Sequence, residues 1–476
     1  MKFLSVGKRF FSNHSAFRRM LKMGDILEEH YQNGLTNYSN PQNKQLIKNL
    51  MVENDHVFSS EDQIKRWIYR RKANEKKNTL SFPHTLTDGT QQPKPIDVTS
   101  LNLPVWKHYL EDCPMQDRDW VLDGIQNGFS LDFDSTPLSS ASKNLLSAHI
   151  QPGIIDDYLE MELKQGTMLG PYKDPPYDQC QINRFGVIPK SDGKFRMITD
   201  LSFPLGESVN DGISKENSTV SYTGLTAAVK KILALGKGCL LAKFDIQRAY
   251  RMIPLQEDER NLVVIKWKDY YFVDLALPFG ARSAPRIFTR FSDVLEWIFL
   301  QKGPVKHMQH SLDDFLVLGL SQSNDCQKGL ENSLRLCQEL GVPIEHRKTI
   351  YPTTRLVFLG MEIDTEKMEM RIPEEKLDKI RQLLDQWVQK KSGTKRSLLS
   401  LIGSLYYCCQ AVVVGKPFMI RLTKKAYSVD KLHFLVKLDE KEIEDLMWWY
   451  YLLNSWNGRS LMSNFDKHRN VVKLHS

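Results

Sequence analysis

Residues 306–322, "KHMQHSLDDFLVLGLSQ", place Asp313 and Asp314 side by side in an otherwise apolar run. At ~4 Å two carboxylates repel by ~4 kcal/mol at an effective dielectric near 20, so the pair asks for a compensating cation. In a regular strand neighbouring side chains point to opposite faces. Both aspartates serve one site only where that alternation breaks, as at a hairpin tip. The flanking "VKHM" and "FLVLGL" read as the two strands of such a hairpin. A third carboxylate, Asp245, closes the apolar run of "LLAKFDIQRAY". A strand-end carboxylate facing a hairpin with two more is an oxygen-rich set suited to Mg²⁺ or Mn²⁺. Two such ions can activate an attacking oxygen and stabilise a leaving one in phosphoryl transfer. Each feature alone has a plainer reading. A lone Asp-Asp pair is usually a solvated turn, and a lone Asp245 suits a helix N-cap. Order and company carry the functional reading.

The elements that must hold these residues follow from the pattern. "FGVIPK" and "KFRMITDL" alternate as strands around the turn context "SDG", predicting a hairpin. "CLLAKFDI", "LVVIKW", "YYFVDLAL", "DDFLVLGL" and "LVFLGMEID" are strand-like, with helical stretches at 284–301 and 323–340. "PEEKLDKIRQLLDQWVQKK" is an amphipathic helix with Pro near its start. Residues 101–170 read as helical, and residues 25–100 as polar and irregular around a basic helical patch. Strands and helices interleave without βαβ regularity, which predicts an α+β fold.

The chain has 476 residues, 41% of them apolar, and a net charge of +8. A basic balance favours polyanionic partners. The seven cysteines are scattered with no CxxC pair, which argues against a zinc site or a disulfide framework and reads as reduced intracellular thiols, in cytoplasm or nucleus. No apolar run approaches the ~20 residues of a membrane span. The first 24 residues hold six Lys and Arg and no acid, a composition shared by mitochondrial transit peptides and plain basic arms; the basic arm is the preferred reading.

"KFDIQRAYRMIPL", "LALPFGARSAPRIFTRF", "SLDDFLVLG" and "VFLGMEID", in this order, resemble a reverse transcriptase palm. The resemblance reaches upstream to "GVIPKSDGKFRMITDLSFPLGESVNDGI" and covers about residues 150–455. The wording "DLSFPLGESVND" and "LPFGARSAPRIF" is most similar to DIRS-like retrotransposons, a sister group of the long-terminal-repeat elements. The resemblance implies a right-hand polymerase: fingers and palm over 171–372, a thumb over 373–437, and from 438 a truncated connection without ribonuclease H. It implies template-directed DNA synthesis on an RNA or DNA template-primer with dNTPs and two Mg²⁺ or Mn²⁺ ions.

Residue by residue, the resemblance gives Asp245 and Asp313 as metal ligands with Asp314 as companion carboxylate. Tyr250 matches the family's steric gate beneath the sugar, and Arg196 the arginine that clamps the triphosphate, where a guanidinium fork suits phosphate. Phe279 and Gly280 would lie near nucleotide and template, the glycine allowing close backbone approach. Lys348 matches a late-palm lysine proposed as proton donor to pyrophosphate. Lys190 and Lys194 lie in the same hairpin; one of them could help Arg196, and surface lysine is the default reading for both. One departure stands out: Ser311 occupies a position where the family usually has an aromatic near the primer terminus. That favours an alternative, a transposon-derived nucleic-acid-binding protein without turnover. In the thumb, the basic lead of "GTKRSLLSLIGSLYYCCQ" either touches phosphates or is a solvated cluster on a core helix.

Overall fold

The computed structural model describes residues 41–53, 94–135, 140–189, 195–220 and 224–461, with a few positions between 26 and 68. The basic stretch 1–24, Lys190 and Lys194 lie outside the described residues. The chain divides into two compact units, one of residues 1–103, 119–220 and 248–288, the other of residues 104–118, 221–247 and 289–476.

The first unit is built on a six-stranded sheet. Its path runs Ser140–Ala141, Gln181–Pro189, Val264–Trp267, Tyr270–Asp274 and Met168–Tyr172, with Phe195–Asp200 paired to Gln181–Pro189 off that path. The expected hairpin is present: Arg196 pairs with Ile188 and Asp200 with Arg184. Helix Pro152–Lys164, with Pro at its first turn, lays Ile155 and Leu159 on Phe185, Val187, Ile265 and Phe272 of the sheet. The reading of 101–170 as wholly helical needs correction. The helical pattern of "IIDDYLEMELK" stops at Lys164, and Met168–Tyr172 is a strand pairing with Tyr270–Asp274. A second correction falls in the polar N-terminal stretch. "PQNKQ", read as loop, opens helix Pro41–Glu53, because proline fits the first turn, where its missing N–H costs nothing.

The second unit holds a four-stranded antiparallel sheet in the order Ile350–Thr353, Leu240–Asp245, Asp314–Gly319, His307–Ser311. Alternation buries Phe244 on one face and leaves Lys243 and Asp245 on the other. Phe244 and Phe315 pair across the ladder and stack at 5.1 Å, with Phe299 packed edge-on to both. This aromatic cluster is the anchor beneath the aspartates. "LVFLGMEID" is not one strand. It is a hairpin, Arg355–Phe358 with Met361–Asp364, turned through Leu359 and Gly360, both at positive φ. Helices Glu374–Lys390, Lys395–Cys408 and Glu440–Ser455 share one core with this hairpin, through Leu384, Trp387, Leu401, Trp449 and Phe358. Arg459–Ser460 then returns to pair with Glu369–Arg371, so the core runs on past residue 437 without a break.

Candidate active site

The hairpin tip is where the doubled aspartates sit. Ser311 and Asp314 form the last ladder pair between the strands, leaving Leu312 and Asp313 as a two-residue turn. Leu312 has φ +54°, a left-handed conformation that L side chains rarely adopt. The break in alternation frees Asp313 from the face opposite Asp314. Asp245 lies directly across the neighbouring ladder from Asp314. The Asp313 carbonyl accepts from the Ile246 amide at 3.1 Å, locking the tip to the end of that strand.

The electrostatics answer the question raised by two adjacent charges. Burial pushes the Asp313 carboxyl above its ordinary range, and the Asp245 charge pushes it further. Asp314 is also raised, first by burial, with Lys243 opposing and Asp245 adding. Lys243 Nζ lies 3.4 Å from Asp314, and Lys348 Nζ lies 2.8 Å from Asp245. The Lys348 ammonium is raised chiefly by its hydrogen bond to Asp245. Two lysines thus hold part of the negative charge, and a surplus remains. Among the described residues no three His, Cys, Asp or Glu side chains are already drawn together as an ion cage. Mg²⁺ does not need one: it binds one or two carboxylates and completes its shell with water and phosphate oxygens. The donor set is one of hard carboxylate oxygens, the ligand type that Mg²⁺ and Mn²⁺ take.

The other predicted residues lie in the first unit. Tyr250 sits in the 3₁₀ turn Ala249–Met252, its ring stacked on Phe279 at 5.1 Å and tilted against Phe288 at 5.5 Å. Phe279 is exposed. Gly280 has φ +110°, and a Cβ there would stand 2.5 Å from the Thr199 carbonyl oxygen, so only glycine fits. Arg196 is exposed on the strand that carries Thr199. The eight residues thus fall into two groups: Asp245, Asp313, Asp314 and Lys348 together, and Tyr250, Phe279 and Gly280 together beside the Arg196 strand.

Two residues escaped sequence reasoning. Lys243 precedes Asp245 by two positions, so period-two alternation alone placed it on the aspartate face. Asn210, nearly buried, donates to the Gly280 carbonyl at 2.9 Å and accepts from the Arg282 amide at 2.7 Å, clamping the "PFGAR" turn. Nothing local in "ESVND" signals that contact.

Residues 188–363 match the family model described as reverse transcriptase (RNA-dependent DNA polymerase). The chain is 23% identical over 295 residues to the transposon Tf2-3 polyprotein of Schizosaccharomyces pombe, covering 62% of this chain and 19% of that one. It is 26% identical over 217 residues to polyprotein P3 of Commelina yellow mottle virus, covering 45% and 11%. The chain therefore spans about a fifth or less of the curated relatives it matches. Among solved structures it resembles the foamy viral protease-reverse transcriptase in complex with RNA/DNA hybrid, with TM-score 0.52 and 16% identity over 76% of this chain and 45% of that one. The same protein in complex with double-stranded DNA gives TM-score 0.50 and 16% identity over 77% and 73%. The fold is that of the reverse transcriptases, α+β as expected. Residues 188–363 thus resemble a reverse transcriptase domain, and the chain is similar to polyproteins of transposon and viral origin. Among the described residues no helix is long and apolar enough to cross a membrane.

Proposed function

We propose that this chain copies a nucleic-acid template, RNA or DNA, into DNA, and that it comes from a DIRS-like or long-terminal-repeat element. The observation that carries the reading is Asp245 directly opposite Asp314, with Asp313 at the adjoining tip, inside a reverse transcriptase domain. Asp245, Asp313 and Asp314 would hold two Mg²⁺ or Mn²⁺ ions, which supply stabilisation of charge on the attacking and leaving oxygens. The primer 3′-hydroxyl gives its proton to water as its oxygen bonds to the α-phosphorus of a dNTP, and the bond from that phosphorus to the pyrophosphate leaving group breaks. Lys348, its side chain 63% exposed, gives a proton to the leaving pyrophosphate and recovers one from water. Arg196 binds the triphosphate, Tyr250 excludes the ribose 2′-hydroxyl, and Phe279 with Gly280 lines the nucleotide and template.

The basic balance and the solved relatives' nucleic-acid complexes support a template-primer partner. Ser311, paired opposite Asp314, favours a second reading, binding without turnover. Primer extension on poly(rA)/oligo(dT) with Mg²⁺ or Mn²⁺ separates them. Extension establishes the polymerase. Template-primer binding without extension under either ion leaves the binding protein.

A further inference from the structure

A buried carboxylate grips both ends of the turn that carries Tyr250, beside a Thr99 hydroxyl that donates to the Met252 carbonyl at 2.5 Å. Glu162, on helix Pro152–Lys164, is 1% exposed. Both of its oxygens lie 2.7 Å from Arg248 Nη2. Its Oε2 also accepts from Arg251 Nε at 3.0 Å and Nη2 at 2.8 Å, and from the Thr167 hydroxyl at 2.5 Å. Arg251 reaches further, to the Thr167 carbonyl at 3.0 Å and to Asp274 at 2.6 Å. Arg248 and Arg251 stand two residues before and one after Tyr250, so the carboxylate grips the turn on both sides of the ring.

The grip matters because the turn's own backbone bonds are few: the Arg251 amide donates to the Arg248 carbonyl at 2.7 Å and the Ile253 amide to the Tyr250 carbonyl at 3.2 Å. Arg248 has φ +52° and ψ +38°, a left-handed conformation that a free arginine seldom adopts. The turn is a single 3₁₀ segment of four residues. Phe279 and Phe288 touch the Tyr250 ring and limit its tilt, but neither fixes the backbone beneath it. A buried ion-pair network is weak evidence for stability, since well-packed apolar residues often do as well. What such a network does supply is a fixed geometry, through several directed bonds to planar groups.

We propose that Glu162 is a positioning residue for sugar selection: through Arg248 and Arg251 it sets the height of the Tyr250 ring against the nucleotide sugar. The inference rests on the polymerase reading for its sugar, and on geometry alone for the clamp. An exclusion that works by contact is sensitive to small displacements of the excluding group. Loosening the clamp should therefore relax discrimination while chemistry continues.

The test uses the full chain with Glu162→Gln, which keeps the shape and removes the charge. Arg248→Gln, at a side chain 27% exposed, is the second variant should the first fail to fold. Two readouts are taken. Amide hydrogen exchange of the peptide spanning residues 248–253, followed by mass spectrometry without substrate, should quicken at least tenfold. The dNTP-over-rNTP ratio of incorporation efficiencies should fall about tenfold. In a Tyr250→Val background Glu162→Gln should lower that ratio no further, because its effect passes through the ring. A purely structural role predicts equal losses in both backgrounds and overturns the proposal, as does unchanged exchange in both variants. If the unaltered chain extends no primer, the polymerase reading falls and sugar selection with it. The exchange rates then decide whether Glu162 holds the turn.

Discussion

Replacing Asp313 by Asn tests whether the aspartates are an electrostatically loaded site or ordinary turn residues. Asp313 is half-buried and makes no ion pair among the described residues, while its neighbours Asp314 and Asp245 are paired with Lys243 and Lys348. At about 6 Å and an effective dielectric near 20, one carboxylate pair repels by about 3 kcal/mol. Solvent screening and Lys348 reduce this to on the order of 1 kcal/mol. The folded-state pKa of Asp313 is raised, so the folded chain binds more protons than the unfolded chain between the unfolded and folded values. Stability therefore falls as pH rises through that window, and the full penalty is present at pH 7. In EDTA at pH 7, Asp313→Asn should raise Tm by about 1–3 °C. The gain should vanish below about pH 4, where the unfolded carboxyl is also protonated. In the same variant the Tm increase on adding Mg²⁺ should shrink, and primer extension should fall to background while template-primer binding survives. A variant less stable than the unaltered chain in EDTA, with its Mg²⁺ response intact, would refute the reasoning. Asp313 would then be a structural turn residue.

Other substitutions probe the remaining parts. Tyr250→Phe should keep the preference for dNTPs, whereas Tyr250→Val should admit rNTPs and lower dNTP efficiency; equal discrimination in all three makes Tyr250 a core aromatic. Gly280→Ala forces a Cβ to 2.5 Å from the Thr199 carbonyl at φ +110°, and should cost at least about 2 kcal/mol in a urea titration of the folded chain. Lys348→Ala should lower single-turnover extension at least tenfold with little change in template-primer affinity, because the amine acts on the leaving group; an unchanged rate removes it from the chemistry.

What the sequence determined by itself was local or periodic. The pairing of Asp313 with Asp314 implied a break in strand alternation, and the break is the turn at Leu312 and Asp313. Alternation in "LLAKFD" fixed which face Asp245 takes, and would have placed Lys243 there as well. For Gly280 the resemblance implied a close approach to nucleotide and template, whereas the close approach in the structure is to the Thr199 carbonyl, a contact made by the fold. Short-range steric rules govern the aspartate turn and the strand faces, and they act within a few residues. They blur where two periods meet, as at Lys164, or where a two-residue turn hides inside an apolar run, as at Leu359 and Gly360.

Tertiary structure alone decided the partners. Lys348 meets Asp245 across 103 residues, and Glu162 meets Arg248 and Arg251 across 86 and 89. Each residue type admits many partners of opposite charge, and the chain contains 65 Lys and Arg against 57 Asp and Glu. Which ones meet depends on how strands and helices pack, the sum of many weak apolar contacts spread over the chain. Sequence thus specified which chemical groups are available and the local turns that present them. The fold selected the cations that restrain the aspartates and the carboxylate that grips the tyrosine turn, because only long-range packing sets those distances.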